Sequence, residues 1–413
     1  MAQRMKYVLI VGDGMADYPV EGLNGKTPLM MARTPNMDWM ARHGRLGLVK
    51  TVPDGFNPGS EIANLSIFGY DPHRYYTGRG PLEAASLGLT LNRDDLAFRC
   101  NLVTLRRESS QVVMEDFAAG HITDREAKEI IADLDRAIGT ERTRFYSGVS
   151  YRHLMIVRDG CAGHSDLESL QLTPPHDIIG RDIAPYLPEG KGSGKGILDL
   201  MAASQPILEN HPVNLARKAK GLRPANSIWL WGQGRSPQMM TLKERFGIEG
   251  YVISAVHLIK GIGLLAGLDV LEVPGITGYF DTNYQGKGDY ALRGLEKKDF
   301  VYVHVEAPDE AGHMGNLRLK IEAIEAFDEK VVGTILKGIA HYKHVRVMVL
   351  PDHPTPLSVR THTGEPVPFV IYSKGSGGTE GGSETFDEVS AMRSGFYIEK
   401  GHELIEHFLM GDR

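Results

Sequence analysis

The sequence predicts an α/β protein: a doubly wound, mostly parallel sheet with a smaller α+β domain inserted into it. Three observations lead there. Short apolar runs without polar alternation stop abruptly at polar or glycine-containing turns, as strands buried on both faces do. Amphipathic helical segments separate those runs towards both ends of the chain. The middle of the chain mixes strands and helices differently, between two stretches rich in Gly and Pro.

The first run, Tyr7–Val11, sits in "MAQRMKYVLIVGDG". A basic residue before it imitates a secretory leader, but the run is too short and no small-residue cleavage site follows. "ARTPNMDWMARHGR" predicts a helix with Thr34 as N-cap, Pro35 at the first helical position and Gly44 as a left-handed terminator. In "DGFNPGSEIANLSIFGYDP", Ser60 reads as the N-cap of a helix carrying Ile62, Leu65 and Phe68, closed by Gly69. From about Leu87 to about Arg223 come "LAFRCNLVTL", "QVVMEDFAAG", "EAKEIIADLDRAI" and "HLMIV", flanked by "YYTGRGPLEAASLG" and "KGLRPANS". Residues 87–223 are therefore expected to form an inserted substrate-binding or lid domain, and 1–86 with 224–413 the discontinuous sheet domain. The later strands are Ile228–Trp231, Tyr251–Ser254, Val270–Val273, Phe300–Val305, Val345–Leu350 and Phe369–Ile371. "NLRLKIEAIEAFDEKVVGTILKGI" predicts a long helix with Leu319, Ile324, Phe327, Val331 and Ile335 near one face. The tracts at 190–196 and 375–383 read as mobile loops. "GKGSGKG" is not a phosphate-binding P-loop, because Glu189 replaces the first glycine and Gly196 the Ser or Thr.

Composition narrows the function classes. The 413 residues are 42% hydrophobic and 24% charged, with 46 Lys plus Arg against 52 Asp plus Glu, a net charge of −6. No basic tail or block invites nucleic acid. No run approaches the ~18 apolar residues of a membrane span. Two distant cysteines, Cys100 and Cys161, fit a reducing compartment rather than a disulfide framework. The expectation is a cytoplasmic enzyme; the pattern carries no signal of oligomeric state.

The chemistry-bearing residues follow the strands. "YVLIVGDGMAD" delivers Asp13, "VYVHVEAPDEAGH" Asp309 and His313, "VRVMVLPDHPTP" Asp352 and His353, and "RTHTGEPVPF" His362. Ligands of open α/β sheets bind outside the carboxyl ends of the strands. Asp309 and His313, at i and i+4, share a face if a helix starts after Pro308. Asp352 and His353 can act together only once the strand has ended, as Pro351 and Pro354 suggest. Each alone has an ordinary structural explanation as a turn, cap or core residue; jointly they predict a metal site. Three gathered carboxylates repel strongly away from water, and two divalent ions with one ionised serine bring the charge to neutrality. Mixed imidazole and carboxylate donors suit Zn²⁺ or Mn²⁺, with Mg²⁺ or Co²⁺ as alternatives. Two ions can flank a phosphoryl transfer. Ser60, at a helix start, then changes from cap to nucleophile, since a helix N-terminus and nearby cations both favour an anionic oxygen.

The strings "GDGMAD", "NPGSEIANLSIFGYDP", "YTGRGPLEAASLG", "HVEAPDEAGH" and "PDHPTP…RTHTGEPVPF" resemble those of archaeal-type 2,3-bisphosphoglycerate-independent phosphoglycerate mutases, in the alkaline phosphatase superfamily. The likeness runs nearly end to end and includes "FRCNLVT", "WLWGQGR" and "TNYQGKG". It implies a sheet of alkaline-phosphatase type and interconversion of 3- and 2-phosphoglycerate without 2,3-bisphosphoglycerate. One metal would be held by Asp309, His313 and His362, the other by Asp13, Ser60, Asp352 and His353, with Ser60 carrying the phosphate in transit. A small phosphorylated acid needs cations and hydrogen-bond donors. Candidates in the family-like strings are Lys287, Arg235, His121, Arg99, Asn101, Arg152 and His153. The inserted domain would close to exclude water. The alternatives are a phosphatase or phosphotransferase acting on another small phosphorylated acid or alcohol, and a metal-binding protein without catalysis.

Overall fold

The computed structural model describes residues 4–108, 111–162, 166–375 and 383–411. They form two units, Met1–Tyr76 with Gln238–Arg413, and Thr77–Pro237. Among the described residues, thirteen strands follow in chain order: β1 Lys6–Gly12, β2 Arg45–Val49, β3 Leu96–Glu108, β4 Gln111–Asp116, β5 Thr143–Val149, β6 Arg152–Val157, β7 Ser227–Gly234, β8 Gly250–Ile253, β9 Asp269–Val270, β10 Phe300–Val305, β11 Val345–Leu350, β12 Val367–Lys374 and β13 Tyr397–Ile398.

The first unit is built on an eight-stranded sheet in the order β13-β2-β12-β11-β1-β10-β8-β9. The run β11-β1-β10-β8-β9 is parallel throughout, and β12 is antiparallel to both of its neighbours. Both faces are covered, which is why the strands read as unbroken apolar runs. Val8, Ile10, Val301, Val303, Val347 and Val349 pack with Met37, Met40, Ala291, Leu295, Ile324 and Phe327 in one core. On the other face Tyr302 stacks on Phe68, with ring centroids 4.1 Å apart, and Tyr7 meets Phe408 edge-on. The alternation of residues along β10 thus sends Tyr302 and His304 to the face opposite the Val301/Val303/Val305 core.

The second unit holds a five-stranded antiparallel sheet, β4-β3-β6-β5 with β7 also on β3. Its limits differ from the expected 87–223. Ile228–Trp231 looks like a buried α/β strand, yet it lies in β7, whose partner is β3. The helix Arg79–Ser86 belongs with it, because Gly80 runs so close to the backbone of Ala97 that a Cβ there would strike its carbonyl. The unit therefore begins at Thr77 and ends at Pro237.

Three local expectations also change. Thr34 makes no side-chain cap; its hydroxyl donates to Asp38. The free N–H groups of Asn36 and Met37 are taken instead by the buried carboxylate of Asp328, at 3.2 and 2.7 Å. Asp328 lies in a π-helical turn, Phe327–Val332, joining Leu317–Ala326 to Gly333–Gly338, so the long amphipathic stretch is one helix with an inserted turn. Gly44 is extended (φ −134°), since β2 starts immediately and a Cβ would lie 2.5 Å from the carbonyl oxygen of Ile371. The tract at 190–196 is no loop beyond Lys191, for a helix runs Gly192–Glu209 and draws Gly194 and Ile197 into the interior. Of the other glycine tract, 375–383, residues 376–382 lie outside the described residues. Among those described, no helix is long and apolar enough to cross a membrane.

One buried ion pair braces the sheet end that carries the site. Lys320, fully enclosed, donates to Asp17 Oδ2 (2.7 Å), Thr355 O (2.8 Å) and Ala16 O (3.2 Å). Asp17 in turn accepts from the N–H of Tyr18 and Leu357. The loop after β1 and the loop after β11 are thereby tied by a single ammonium. Lys320→Met leaves Asp17 buried without its cation. A loss of about 3–5 kcal/mol is expected on chemical denaturation, reduced when Asp17→Asn is introduced with it.

Candidate active site

The parallel strands β1, β10 and β11 all end at one edge of the first unit, and the chain changes direction there three times. After β1, Gly14 adopts φ +60°, which bends the backbone back behind Asp13. A Cβ at Gly14 would stand 2.5 Å from Asp309 Oδ1 and Thr355 Oγ1, so the close approach needs glycine. After β10, a helix Ala307–Met314 places Asp309 and His313 one turn apart, His313 Nε2 lying 3.1 Å from Asp309 Oδ2. After β11 the strand has ended by Pro351, and Asp352 and His353 project from irregular backbone.

The structure brings Asp13, Ser60, Asp309, His313, Asp352, His353 and His362 into one cluster. His353 Nε2 lies 3.5 Å from Asp13 Oδ1, 3.5 Å from Asp352 Oδ2 and 3.2 Å from Ser60 Oγ. His362 Nε2 is 3.5 Å from Asp309 Oδ1 and 3.0 Å from His313 Nε2. Donor atoms of Asp309, His313 and His362 fall within 4.8 Å of one another, as do those of Asp13, Asp309 and His353. The far nitrogen of His313 meets Arg360 O at 3.1 Å and that of His353 meets Pro354 O at 3.3 Å. Such contacts leave each Nε2 turned inward. The Thr355 hydroxyl donates to Asp309.

Ser60 is not the cap the sequence suggests. Gly59 occupies the N-cap position, Ser60 is the first helical residue, and no side chain caps this helix. Its hydroxyl is therefore uncommitted to the backbone and turns towards His353.

Charge is the dominant feature. Asp13 is raised well above the usual carboxylate range, first by burial and then by the charges of Asp352, Asp309 and Glu306. Burial pushes Asp309 the same way, but hydrogen bonds from His313 and His362 outweigh it and hold Asp309 well below that range. The same contact lifts His313 to about 9. Asp13 Oδ1 lies buried without a hydrogen-bond partner. An inward-facing carboxylate oxygen lacking a donor, among imidazole nitrogens and further carboxylates, fits a divalent cation.

The apolar strand pattern hides two members of this region. His304 and Glu306 join Asp13 in a third grouping within 4.8 Å. His304 Nε2 lies 3.2 Å from Asp13 Oδ2, and burial pushes its imidazole down to about 4. An imidazole inside an unbroken β-branched run was the available signal. Lys287, on the helix Tyr284–Lys297, is wholly buried and donates to His304 O at 2.6 Å. Burial lowers its ammonium to about 8, against the pull of Glu306 and Asp13. Glu306 and Lys287 add one charge of each sign, so the count from three aspartates still stands.

The other substrate candidates lie in the second unit, and several are already engaged. Arg99 is buried between Glu83 (3.1 Å) and the Trp231 ring (4.4 Å), and burial lowers it to about 10. The Asn101 amide spends its oxygen on Trp231 Nε1 (3.0 Å) and an N–H on Phe117 O (3.3 Å). His153 accepts from Gly148 N, and burial drops it to about 3, so it is neutral at physiological pH. Arg235 pairs with Glu168. Arg152 and His121 are exposed and flank Tyr151, at 5.4 and 6.3 Å from its ring.

Known proteins share this chain's sequence and fold. The sequence model described as 2,3-bisphosphoglycerate-independent phosphoglycerate mutase matches residues 41–214. A protein of Geobacter sulfurreducens named as a probable enzyme of that kind is 52% identical over 405 residues, covering 98% of this chain and all of its own length. The Methanosarcina acetivorans 2,3-bisphosphoglycerate-independent phosphoglycerate mutase is 52% identical over 402 residues, 97% of this chain and 98% of that one. Among solved structures, a Pyrococcus horikoshii protein superposes with a TM-score of 0.82 at 30% identity, covering 100% of this chain and 99% of its own. The cofactor-independent phosphoglycerate mutase of Thermoplasma acidophilum superposes at 0.65 with 28% identity, covering 98% and 99%. With relatives this similar along essentially its whole length, the chain belongs to the 2,3-bisphosphoglycerate-independent phosphoglycerate mutases.

Proposed function

We propose that this chain interconverts 3-phosphoglycerate and 2-phosphoglycerate through a phosphoserine at Ser60, in a site that takes two divalent cations. The observation that carries the reading is the Ser60 hydroxyl, free of any capping duty and 3.2 Å from His353 Nε2 beside the aspartate cluster. Asp309, His313 and His362 would hold one ion, and Asp13, Asp352 and His353, with Ser60, the other. Bound there, divalent cations supply the positive charge that favours an ionised serine and offsets charge on the transferring phosphoryl group. The donor set suits Mn²⁺ or Zn²⁺.

In the forward direction Ser60 Oγ attacks phosphorus, the ester bond to the 3-oxygen breaks, and that oxygen gains a proton. The 2-hydroxyl of the same glycerate then loses a proton, attacks the phosphoserine and restores Ser60. No group is gained or lost overall, which is what makes the reaction an isomerisation. Lys287 is a cation held at the back of the cluster, where it suits a phosphate's negative charge. Arg152, exposed beside Tyr151, has the donors a carboxylate takes. The cellular setting we infer is the cytoplasm.

Purified protein with Mn²⁺ or Zn²⁺ is expected to convert 3-phosphoglycerate to 2-phosphoglycerate; release of inorganic phosphate without the second ester would reject the mutase reading in favour of hydrolysis. Ser60→Ala is expected to lower turnover by at least about 10³-fold while metal is still bound through the remaining ligands. Residual mutase activity near the native level would remove Ser60 from the mechanism. Chelation is expected to abolish turnover and lower the thermal midpoint, with both restored on adding Mn²⁺. Arg152→Ala is expected to raise KM for phosphoglycerate several-fold with metal binding unchanged, as measured by equilibrium dialysis.

A further inference from the structure

Behind Ser60, one turn along its helix, stands Asn64, fully buried. Its Nδ2 donates to Ser60 O and to Asp352 Oδ2, each at 2.8 Å. Its Oδ1 accepts from the hydroxyl of Tyr302, another fully buried side chain, in the middle of β10. Phe68, further along the same helix, stacks on the Tyr302 ring and fixes that ring in place. An asparagine in a helix interior has poor intrinsic helix propensity, so its presence there needs a reason.

The orientation of this amide follows from its partners. Ser60 O and Asp352 Oδ2 are acceptors, so both require the NH₂ end. Tyr302, the third partner, has a proton to donate and so selects the oxygen end. Reversing the amide would set its oxygen against a carboxylate and a carbonyl at a fully buried position. The second oxygen of Asp352 accepts from Gly14 N (3.1 Å) and His353 N (2.9 Å). Three N–H donors therefore fix the plane of this carboxylate.

We infer that Asn64, oriented by Tyr302, is a positioning residue: it links the main chain of Ser60 to the carboxylate of Asp352 and so sets the distance between the nucleophile and one of the two cation positions. The inference rests on the site proposed above. Neither residue touches substrate; each acts through Ser60 and Asp352. Tyr302 lies on β10, the strand that leads into Asp309, so the strut also relates the helix of Ser60 to the strand carrying the other grouping.

Two single variants and their double test it. In the full-length protein, Asn64→Leu is expected to weaken Mn²⁺ binding at one of two sites about tenfold and to lower kcat about 10- to 100-fold, with KM nearly unchanged. Tyr302→Phe deletes only the hydroxyl, leaves the stacked ring, and is expected to lower kcat several-fold. Because Tyr302 acts through Asn64, adding Tyr302→Phe to Asn64→Leu is expected to change kcat by less than twofold. Electron paramagnetic resonance of bound Mn²⁺ reads the metal pair without any turnover, and it keeps Tyr302→Phe informative should Asn64→Leu fail to fold. An active native enzyme whose variants bind Mn²⁺ and turn over within twofold of it would overturn the inference and leave the proposed function standing. A native protein that binds Mn²⁺ but leaves phosphoglycerate untouched, with Asn64→Leu still weakening one site, would sink the proposed function and uphold the strut.

Discussion

Three buried carboxylates and a half-buried fourth, gathered at the ends of three parallel strands, are the constraint to which the rest of the first unit answers. Asp13, Asp309, Asp352 and Glu306 converge because β1, β10 and β11 lie side by side and run the same way. Burial first, and their mutual repulsion after it, raises Asp13 well above the usual carboxylate range. The surroundings are arranged to keep them together. Imidazoles from His313 and His362 face Asp309, backbone N–H groups and Asn64 hold Asp352, and Lys287 brings one buried positive charge. What that environment does not supply is enough positive charge, and this shortfall is the physical reason a pair of divalent ions suits the site.

Much of the architecture was legible because it depends on periodicities that a sequence displays directly. The central strands are buried on both faces, so Phe300–Val305 and Val345–Leu350 stand out as apolar runs, and the acids and imidazoles after them mark the edge. The spacing of Asp309 and His313 places both on one helical face, and the structure puts them there. The misreadings arise where tertiary partners override local signals. Thr34 has the right chemistry for a cap, yet a carboxylate from the distant residue Asp328 does the work. Ser60 follows a turn in the manner of a cap, but Gly59 takes that position. Ile228–Trp231 has the composition of a parallel-sheet strand and instead pairs antiparallel with β3. His304 is easily passed over because its neighbours in sequence face the core, whereas the residue itself faces Asp13; its one mark is an imidazole inside an apolar run.

The second unit is instructive for what its polar side chains are already doing. Arg99, Asn101 and His153 stand in strings that suggest recognition of an anion, but all three are buried and already contact neighbours within the second unit. Arg99 sits between a carboxylate and an indole; the Asn101 amide spans two partners; His153 is held neutral. Arg152 and His121 are exposed beside Tyr151.

The antiparallel direction of β12 has a consequence for how the chain could be cut. A parallel successor to β11 would have to be reached by a crossover to the far end of the sheet. Because β12 runs back instead, the single connection from Pro351 to Pro366 stays at the near end and carries Asp352, His353, Thr355 and His362. Both candidate groupings draw on it. New termini opened between His353 and His362 would part Asp352 and His353 from His362, whereas a circular permutant opened elsewhere on the sheet would keep all three on one continuous piece of backbone.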